Sequence, residues 1–81
     1  MFDFNVLFQP VGQYCRRNVA TCRPDEPLVA AATQMSRQGI SSLVVCEAGS
    51  PVGIITDRDL RNKVVALGLD PGSLIVAAVM T

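Results

Sequence analysis

The fold is decided by the stretch Gly53-Ile54-Ile55-Thr56-Asp57-Arg58-Asp59-Leu60. Its apolar first half is typical of a buried strand. From Asp57 to about Leu67 the apolar residues follow a helical period, which places Leu60, Val64 and Leu67 on one side. Thr56 therefore stands where a strand leads directly into the N-terminus of a helix.

A second apolar segment lies just before this stretch. Ser41 to Glu47 predicts a largely buried strand, and Ala48-Gly49-Ser50 predicts a hairpin turn. The return strand begins at Pro51, a position where the missing N–H of proline is tolerated. We therefore expect an antiparallel hairpin whose second strand ends at Thr56.

A short β-prone run and a helix precede the hairpin. The run is Val19-Ala20-Thr21-Cys22, and Asp25 is expected to cap the helix, with Pro27 in its first turn. One face of this helix is apolar and is closed by a glycine that favours helix termination. The residues on that face are Leu28, Ala31, Ala32, Met35 and Gly39.

After the second helix, Gly68 and the turn Asp70-Pro71-Gly72 predict a stop, and Ser73 is expected to cap a third helical stretch from Leu74 to Met80. The chain is therefore predicted to adopt an α/β (α+β) fold with the order β-α-β-β-α. A three-stranded sheet would carry the helices on one face, with a short helical C-terminal tail.

The junction at Thr56 has two interpretations. Unpaired amides and the helix dipole would form an anion site, where Thr56 donates to a phosphate or sugar oxygen and Asp59 accepts the two hydroxyls of a ribose. Arg58 would balance phosphate charge. The spacing Thr56-x-x-Asp59 is also that of a capping box, in which both side chains serve only the helix. From the spacing alone, capping is favoured.

Three motifs together resemble the CBS domain family, in its order and at its spacing. They are Pro24-Asp25-Glu26-Pro27-Leu28, Gly39-Ile40-Ser41-Ser42-Leu43-Val44-Val45 and the Gly53-to-Leu60 stretch. The resemblance implies a β-α-β-β-α unit that works in pairs, with two repeats packed sheet to sheet as a Bateman module. The clefts between such repeats bind adenosyl compounds. Residues Thr56 to Asn62 also resemble CBS repeats of bacterial signalling proteins that join a cyclic-nucleotide-binding domain to a nucleotidyltransferase-like domain.

The resemblance implies roles for individual residues. Thr56 and Asp59 match the family's phosphate and ribose contacts, and Arg58 is a further candidate phosphate contact. Segments that line the adenine pocket, partly through backbone groups, contain Ala20, Thr21, Ile40, Ser41 and Ser42. The expected ligand is AMP, ADP, ATP or S-adenosylmethionine, and no tightly bound cofactor is expected.

The same motifs suggest how the chain is divided. We expect an N-terminal extension in residues 1–10, a single CBS repeat in residues 11–75, and a linker or the start of a second repeat in residues 76–81. Residues 11–16 line up with residues 76–81 at a spacing of 65 residues, and Val79-Met80-Thr81 resembles the opening of a next repeat.

Composition argues against several classes of function. Seven basic and seven acidic residues cancel, so no overall field attracts nucleic acid or an anionic membrane. No apolar run approaches the roughly 18 residues of a membrane span, so no membrane insertion is expected. The sequence contains no histidine and no Gly-rich phosphate loop with its lysine. A catalytic role is therefore not expected.

The three cysteines indicate a reducing environment. Their number is odd and no two form a C-x-x-C pair, which with the lack of histidine excludes an ordinary structural zinc site within one chain. Cys22 and Cys46 lie in apolar strand-like runs, where a reduced cysteine behaves as a small hydrophobe. The N-terminus lacks the pattern of a signal peptide. We therefore expect a cytoplasmic protein.

Size and hydropathy predict a partner. An 81-residue chain has a marginal core, yet 49% of its residues are hydrophobic. We therefore expect a homodimer in which an identical chain supplies the second CBS repeat. Two functional hypotheses remain at this point. The paired repeats form a regulatory sensor of an adenosine-containing ligand, or they form a ligand-free dimerisation or interaction module.

Overall fold

The structure is a computed structural model that describes Cys15 and residues 19–81. The N-terminal extension predicted for residues 1–10 lies outside the described residues. Two helices and three strands form the domain, in the predicted order β-α-β-β-α. They are β1 (Thr21–Cys22), α1 (Leu28–Gln38), β2 (Ser42–Glu47), β3 (Ser50–Thr56) and α2 (Asp57–Leu60).

The strands form one sheet in the order β1-β2-β3. β1 runs parallel to β2, whereas β2 and β3 form the expected antiparallel hairpin, in which Leu43 faces Ile55 and Ser42 faces Thr56. The hairpin turn places Ala48 and Gly49 at φ 52° and 80°, as in the tight turns that match the twist of a hairpin.

One face of the sheet, here called the inner face, carries both helices. Its side chains are Cys22, Leu43, Val45 and Ile55, which form a single buried cluster with Leu28, Ala31 and Met35 of α1 and with Val64 beyond α2. Because side chains alternate along a strand, the opposite or outer face carries Thr21, Ser42, Val44, Ile54 and Thr56. The predicted sheet with helices on one face is confirmed.

The predicted N-cap of α1 is wrong, whereas its predicted end is confirmed. Asp25 forms an exposed ion pair with Arg23 at 3.1 Å, and Pro27 occupies the N-cap position. The first N–H of the helix, that of Leu28, is satisfied instead by the carbonyl of Leu74 at 3.0 Å. Gly39 ends the helix at φ 64°, a left-handed conformation that glycine adopts without a steric penalty.

The second helix departs from the regular period after α2. Arg61–Val65 form a π-helical turn, in which Ala66 N–H donates to the carbonyl of Arg61 at 2.8 Å. The wider turn changes the rotation of the following residues about the helix axis. Leu67 is consequently 66% exposed, so its predicted place beside Val64 is wrong. Gly68 ends the helix at φ 69°, as predicted.

The predicted third helix from Leu74 to Met80 is also wrong. A single 3₁₀ turn, Val76–Ala78, replaces it, and Ser73 caps no helix there. The predicted turn at Asp70-Pro71-Gly72 is confirmed as a 3₁₀ turn, Pro71–Ser73, capped by Asp70. The backbone donors of this segment are used across the fold, since the N–H groups of Val76 and Ala77 each donate at 2.9 Å to the loop before α1. Among the described residues, no helix has the length and hydropathy needed to cross a bilayer.

Cys46 is not a reduced core residue, contrary to the prediction, because it forms a disulfide with Cys15. The bond joins residues 31 positions apart, and no local spacing pattern in the sequence signals such a pair. Cys22 is free and buried as predicted, and burial, helped by nearby Glu26, raises the pKa of its thiol to about 11. Disulfides are unusual in reducing compartments, so the cysteines do not support the predicted reducing environment.

Candidate functional site

A complete capping box closes the junction between β3 and α2. Thr56 takes an extended conformation, and its hydroxyl accepts the Asp59 N–H at 3.2 Å. In return, Asp59 Oδ2 accepts the Thr56 N–H and the Thr56 hydroxyl, both at 3.0 Å. The interpretation of Thr56-x-x-Asp59 as a helix cap is therefore confirmed.

The other oxygen of the Asp59 carboxylate binds a different set of groups. The Thr81 hydroxyl donates to Asp59 Oδ1 at 2.7 Å, and the Lys63 ammonium lies 3.0 Å from the same oxygen. Lys63 also donates to the Thr81 hydroxyl and to the carbonyl of Val79, each at 3.0 Å. We call Lys63 and Thr81, the two residues that hold Asp59 Oδ1, the latch.

Among the residues that the structure describes, Asp59 is the one charged residue that is buried, with 5% of its surface exposed. Burial alone would raise the pKa of its carboxyl group. The hydrogen bonds from Thr81, Lys63 and Thr56 outweigh that effect, so the pKa lies below its usual value. Asp59 is therefore an ionised, fully bonded group held between the helix cap and the latch.

The C-terminal segment reaches Asp59 because it pairs with the free edge of β3. Thr81 and Ile54 exchange two backbone hydrogen bonds, of 2.8 and 2.9 Å. Gly53 permits this close approach, since a Cβ there would lie 2.9 Å from Met80 Sδ and 3.0 Å from the Thr81 carbonyl oxygen. The edge of β3 and the latch thus hold the same segment by two independent contacts.

The expectation of unpaired amides at the start of α2 is wrong for two of its first three residues. Asp57 N–H donates to the Ser41 carbonyl at 3.0 Å, and Asp59 N–H donates to the Thr56 hydroxyl. The loop before β2 is consequently tied to the start of α2, which brings Ser41 and Thr56 to one end of the sheet.

The structure gathers some predicted site residues and separates others. Ser42 faces Thr56 across the hairpin on the outer face, and Arg58 lies exposed on the first turn of α2. Thr21 shares the outer face, beyond Val44. Ala20 and Ile40, by contrast, are partly buried and pack against the core, and the Ala20 carbonyl and the Ile40 N–H are already hydrogen-bonded within the chain.

Sequence reasoning missed Lys63 and Thr81. Lys63 follows Asp59 by four residues, a spacing at which opposite charges meet on a helix, so a signal for this pair was present. Thr81 had none, because its position depends on the pairing of the C-terminal segment with β3.

A surface depression of about 440 Å³ lies along α1 between Ala30 and Gln38, and no predicted site residue lines it.

Comparisons with known proteins identify the family. The CBS domain model matches residues 11–66. An uncharacterized protein of Methanopyrus kandleri is 43% identical over 72 residues, which are 88% of this chain and 37% of that protein. The CBS domain-containing protein YhcV of Bacillus subtilis is 35% identical over 63 residues, covering 78% of this chain and 44% of the relative. The chain thus spans less than half the length of these relatives.

Solved structures agree with this assignment. A cystathionine beta-synthase domain protein fused to a Zn-ribbon-like domain matches with a TM-score of 0.74 and 33% identity, covering 79% of this chain and 91% of the other. A hexameric CBS-CP12 protein from bloom-forming cyanobacteria matches with a TM-score of 0.71 and 32% identity, over 79% of this chain and 39% of the other. The chain belongs to the CBS domain family.

Proposed function

We propose that this chain is a regulatory CBS repeat whose outer face pairs with the second repeat of an identical chain, forming a crevice for an adenosine-containing ligand. CBS-domain proteins are generally regulatory. The supporting observation is the outer face itself, where partly exposed Ile54 lies next to Val44, which is 8% exposed, and hydroxyl groups flank them on Thr21, Ser42 and Thr56. Such a surface offers an apolar centre for packing or for a base, with hydroxyl groups around it.

The polar groups at one end of this face suit the sugar and phosphate of the ligand. Arg58 is exposed and carries a guanidinium that can pair with a phosphate in a bidentate manner. Ser41 lies at the start of the same helix, because Asp57 N–H bonds to the Ser41 carbonyl, and Ser42 faces Thr56 across the hairpin. AMP, ADP, ATP and S-adenosylmethionine share the adenosine on which this proposal rests.

Ligand binding is tested by thermal melting with these four compounds. A ligand at 100 times its Kd stabilises the native state by about 2.7 kcal/mol, which for a domain of this size raises Tm by roughly 10–20 °C. Arg58→Gln should reduce the shift. Arg37→Gln removes the same charge from α1, which packs on the inner face, and should leave the shift unchanged.

A second candidate function is a ligand-free interaction module. It is favoured by the closed state of the junction, where Asp59 is 5% exposed and both of its oxygens are bonded within the chain. Among the described residues, no buried side-chain nitrogen or oxygen lacks a hydrogen-bond partner. If none of the four compounds changes Tm, this function replaces the sensor.

Pairing through the outer face has its own test, which is the mass in solution by light scattering. Ile54→Glu places a charge in the centre of the outer face and should convert a dimer into a monomer that keeps its circular dichroism spectrum. Val65→Glu is the matched control, because Val65 is already 74% exposed at the helical end. An unchanged mass for Ile54→Glu would contradict pairing through this face.

A further inference from the structure

We propose that Asp59 exchanges partners: its Oδ1 binds either the latch or the sugar diol of the ligand, so that ligand binding releases Thr81 from the edge of β3. This inference rests on the proposed nucleotide-binding function and adds its regulation. It begins from the unequal use of the two carboxylate oxygens.

Oδ2 and Oδ1 belong to different parts of the structure. Among residues 19–81, Oδ2 accepts only from Thr56, through the N–H and the hydroxyl at 3.0 Å, and so maintains the helix cap. Within the same residues, Oδ1 accepts only from the latch, at 2.7 Å from the Thr81 hydroxyl and 3.0 Å from the Lys63 ammonium. Donors on Oδ1 can therefore be replaced without breaking the cap that starts α2.

Lys63 and Thr81, which cover Oδ1, lie at the surface and can move away from it into solvent. The Lys63 side chain is 44% exposed, and Thr81 lies at the surface, so both can return to water without opening the core. Water would replace their hydrogen bonds, whereas the buried carboxylate would remain charged and in need of donors. A sugar diol supplies two hydroxyl donors and so satisfies that need.

Exchange at Oδ1 has a mechanical consequence at the sheet edge. Thr81 pairs with Ile54 through two backbone hydrogen bonds, and its side chain anchors the same residue to Asp59. Removing the anchor leaves Thr81 held to β3 by these two backbone hydrogen bonds alone, so we expect this edge pairing to open more often. The ligand and the C-terminal segment are thus expected to oppose each other, with reciprocal effects on affinity.

The test compares wild type with Thr81→Val, which keeps the branched side chain and removes the hydroxyl. AMP and its 2′,3′-dideoxy analogue are titrated calorimetrically. Thr81→Val should bind AMP about five to ten times more tightly than wild type, because the competing donor is gone, and should bind the dideoxy analogue no better. Lys63→Met should shift AMP affinity in the same direction. Thr33→Val on α1 is the control and should bind as wild type.

Hydrogen exchange measures the released segment directly. Saturating AMP should speed exchange of the Thr81 and Ile54 amides in wild type, and Thr81→Val should show roughly tenfold faster exchange at Ile54 without ligand. Equal AMP affinity in wild type and Thr81→Val would overturn the exchange mechanism and leave the proposed function intact. Absence of AMP binding in both proteins, together with no melting shift from the other three compounds, would overturn the proposed function and this inference with it.

Discussion

Reducing the Cys15–Cys46 bond is expected to remove a large part of the stability of this domain. The bond closes a loop between residues 31 positions apart. In the chain-entropy treatment, restricting an unfolded loop of that length is worth about 3.7 kcal/mol at 25 °C. Small domains have total stabilities of about 5–15 kcal/mol, and each kcal/mol corresponds to roughly 4–8 °C in Tm at this size. Reduction should therefore lower Tm by about 15–30 °C.

The assay is a set of circular dichroism melts at one protein concentration. Oxidised protein should melt highest, and Cys15→Ser should melt with the reduced protein and be insensitive to reductant. Because Cys22 is buried in the folded protein, alkylation is carried out in denaturant without reductant, and mass spectrometry should then find a label only on Cys22, the free thiol. A difference below about 3 °C between oxidised and reduced protein, with the bond shown to be present, would refute the entropy argument.

Three further perturbations follow from single contacts. Gly53→Ala should lower the free energy of unfolding by about 1–3 kcal/mol in urea titrations, because the new Cβ would lie 3.0 Å from the Thr81 carbonyl oxygen. An unaltered urea midpoint would show that the C-terminal segment moves away from β3 freely. Ala48→Asn should raise the free energy of unfolding by about 0.5–1 kcal/mol, because Ala48 has φ 52°, a left-handed conformation that asparagine tolerates better. A lower urea midpoint for Ala48→Asn would contradict this argument. The pKa of Asp59 is lowered in the folded state, so its contribution to stability should be complete above about pH 5 and be lost as pH falls through the folded pKa. Urea titrations from pH 7 to pH 3 should therefore show a steeper acid loss in wild type than in Asp59→Asn, and parallel curves would show that Asp59 is not the group responsible.

The parts of the fold with a local cause were predictable from the sequence. The helical period of α1 and its end at Gly39, where only a left-handed residue fits, are properties of a few neighbouring residues. The hairpin and the capping box at Thr56 and Asp59 also depend on short spacings. Each of these elements could be assigned because the residues that stabilise it lie within about one turn or one hairpin of each other.

The wrong predictions share a dependence on distant parts of the chain. Asp25 is a good capping residue, but the first N–H of α1 is taken by the carbonyl of Leu74, far along the sequence. The segment after Ser73 has helical propensity, but its amides bond to the loop before α1. Cys46 looked like an ordinary strand residue because its partner lies in another segment. Local patterns carry no information about such pairings.

The candidate site follows the same division. Thr56, Arg58 and Asp59 could be placed at a strand-to-helix junction from the sequence alone. Their chemistry could not be derived from it, since the partners of Asp59 Oδ1 come from Lys63 and from Thr81, 22 residues away. The resemblance to the CBS family indicated the candidate residues. The structure showed which of their atoms already form hydrogen bonds or ion pairs within the chain.

The π-helical turn at Arg61–Val65 affects more than the path of the backbone. One additional residue in a helix rotates everything beyond it by roughly 100° about the axis. Leu67 lies just beyond this turn and is 66% exposed, so its exposure follows from this change of helical phase. Deleting one residue from the turn would rotate the following side chains by about 100° and bring a different set of them to the surface.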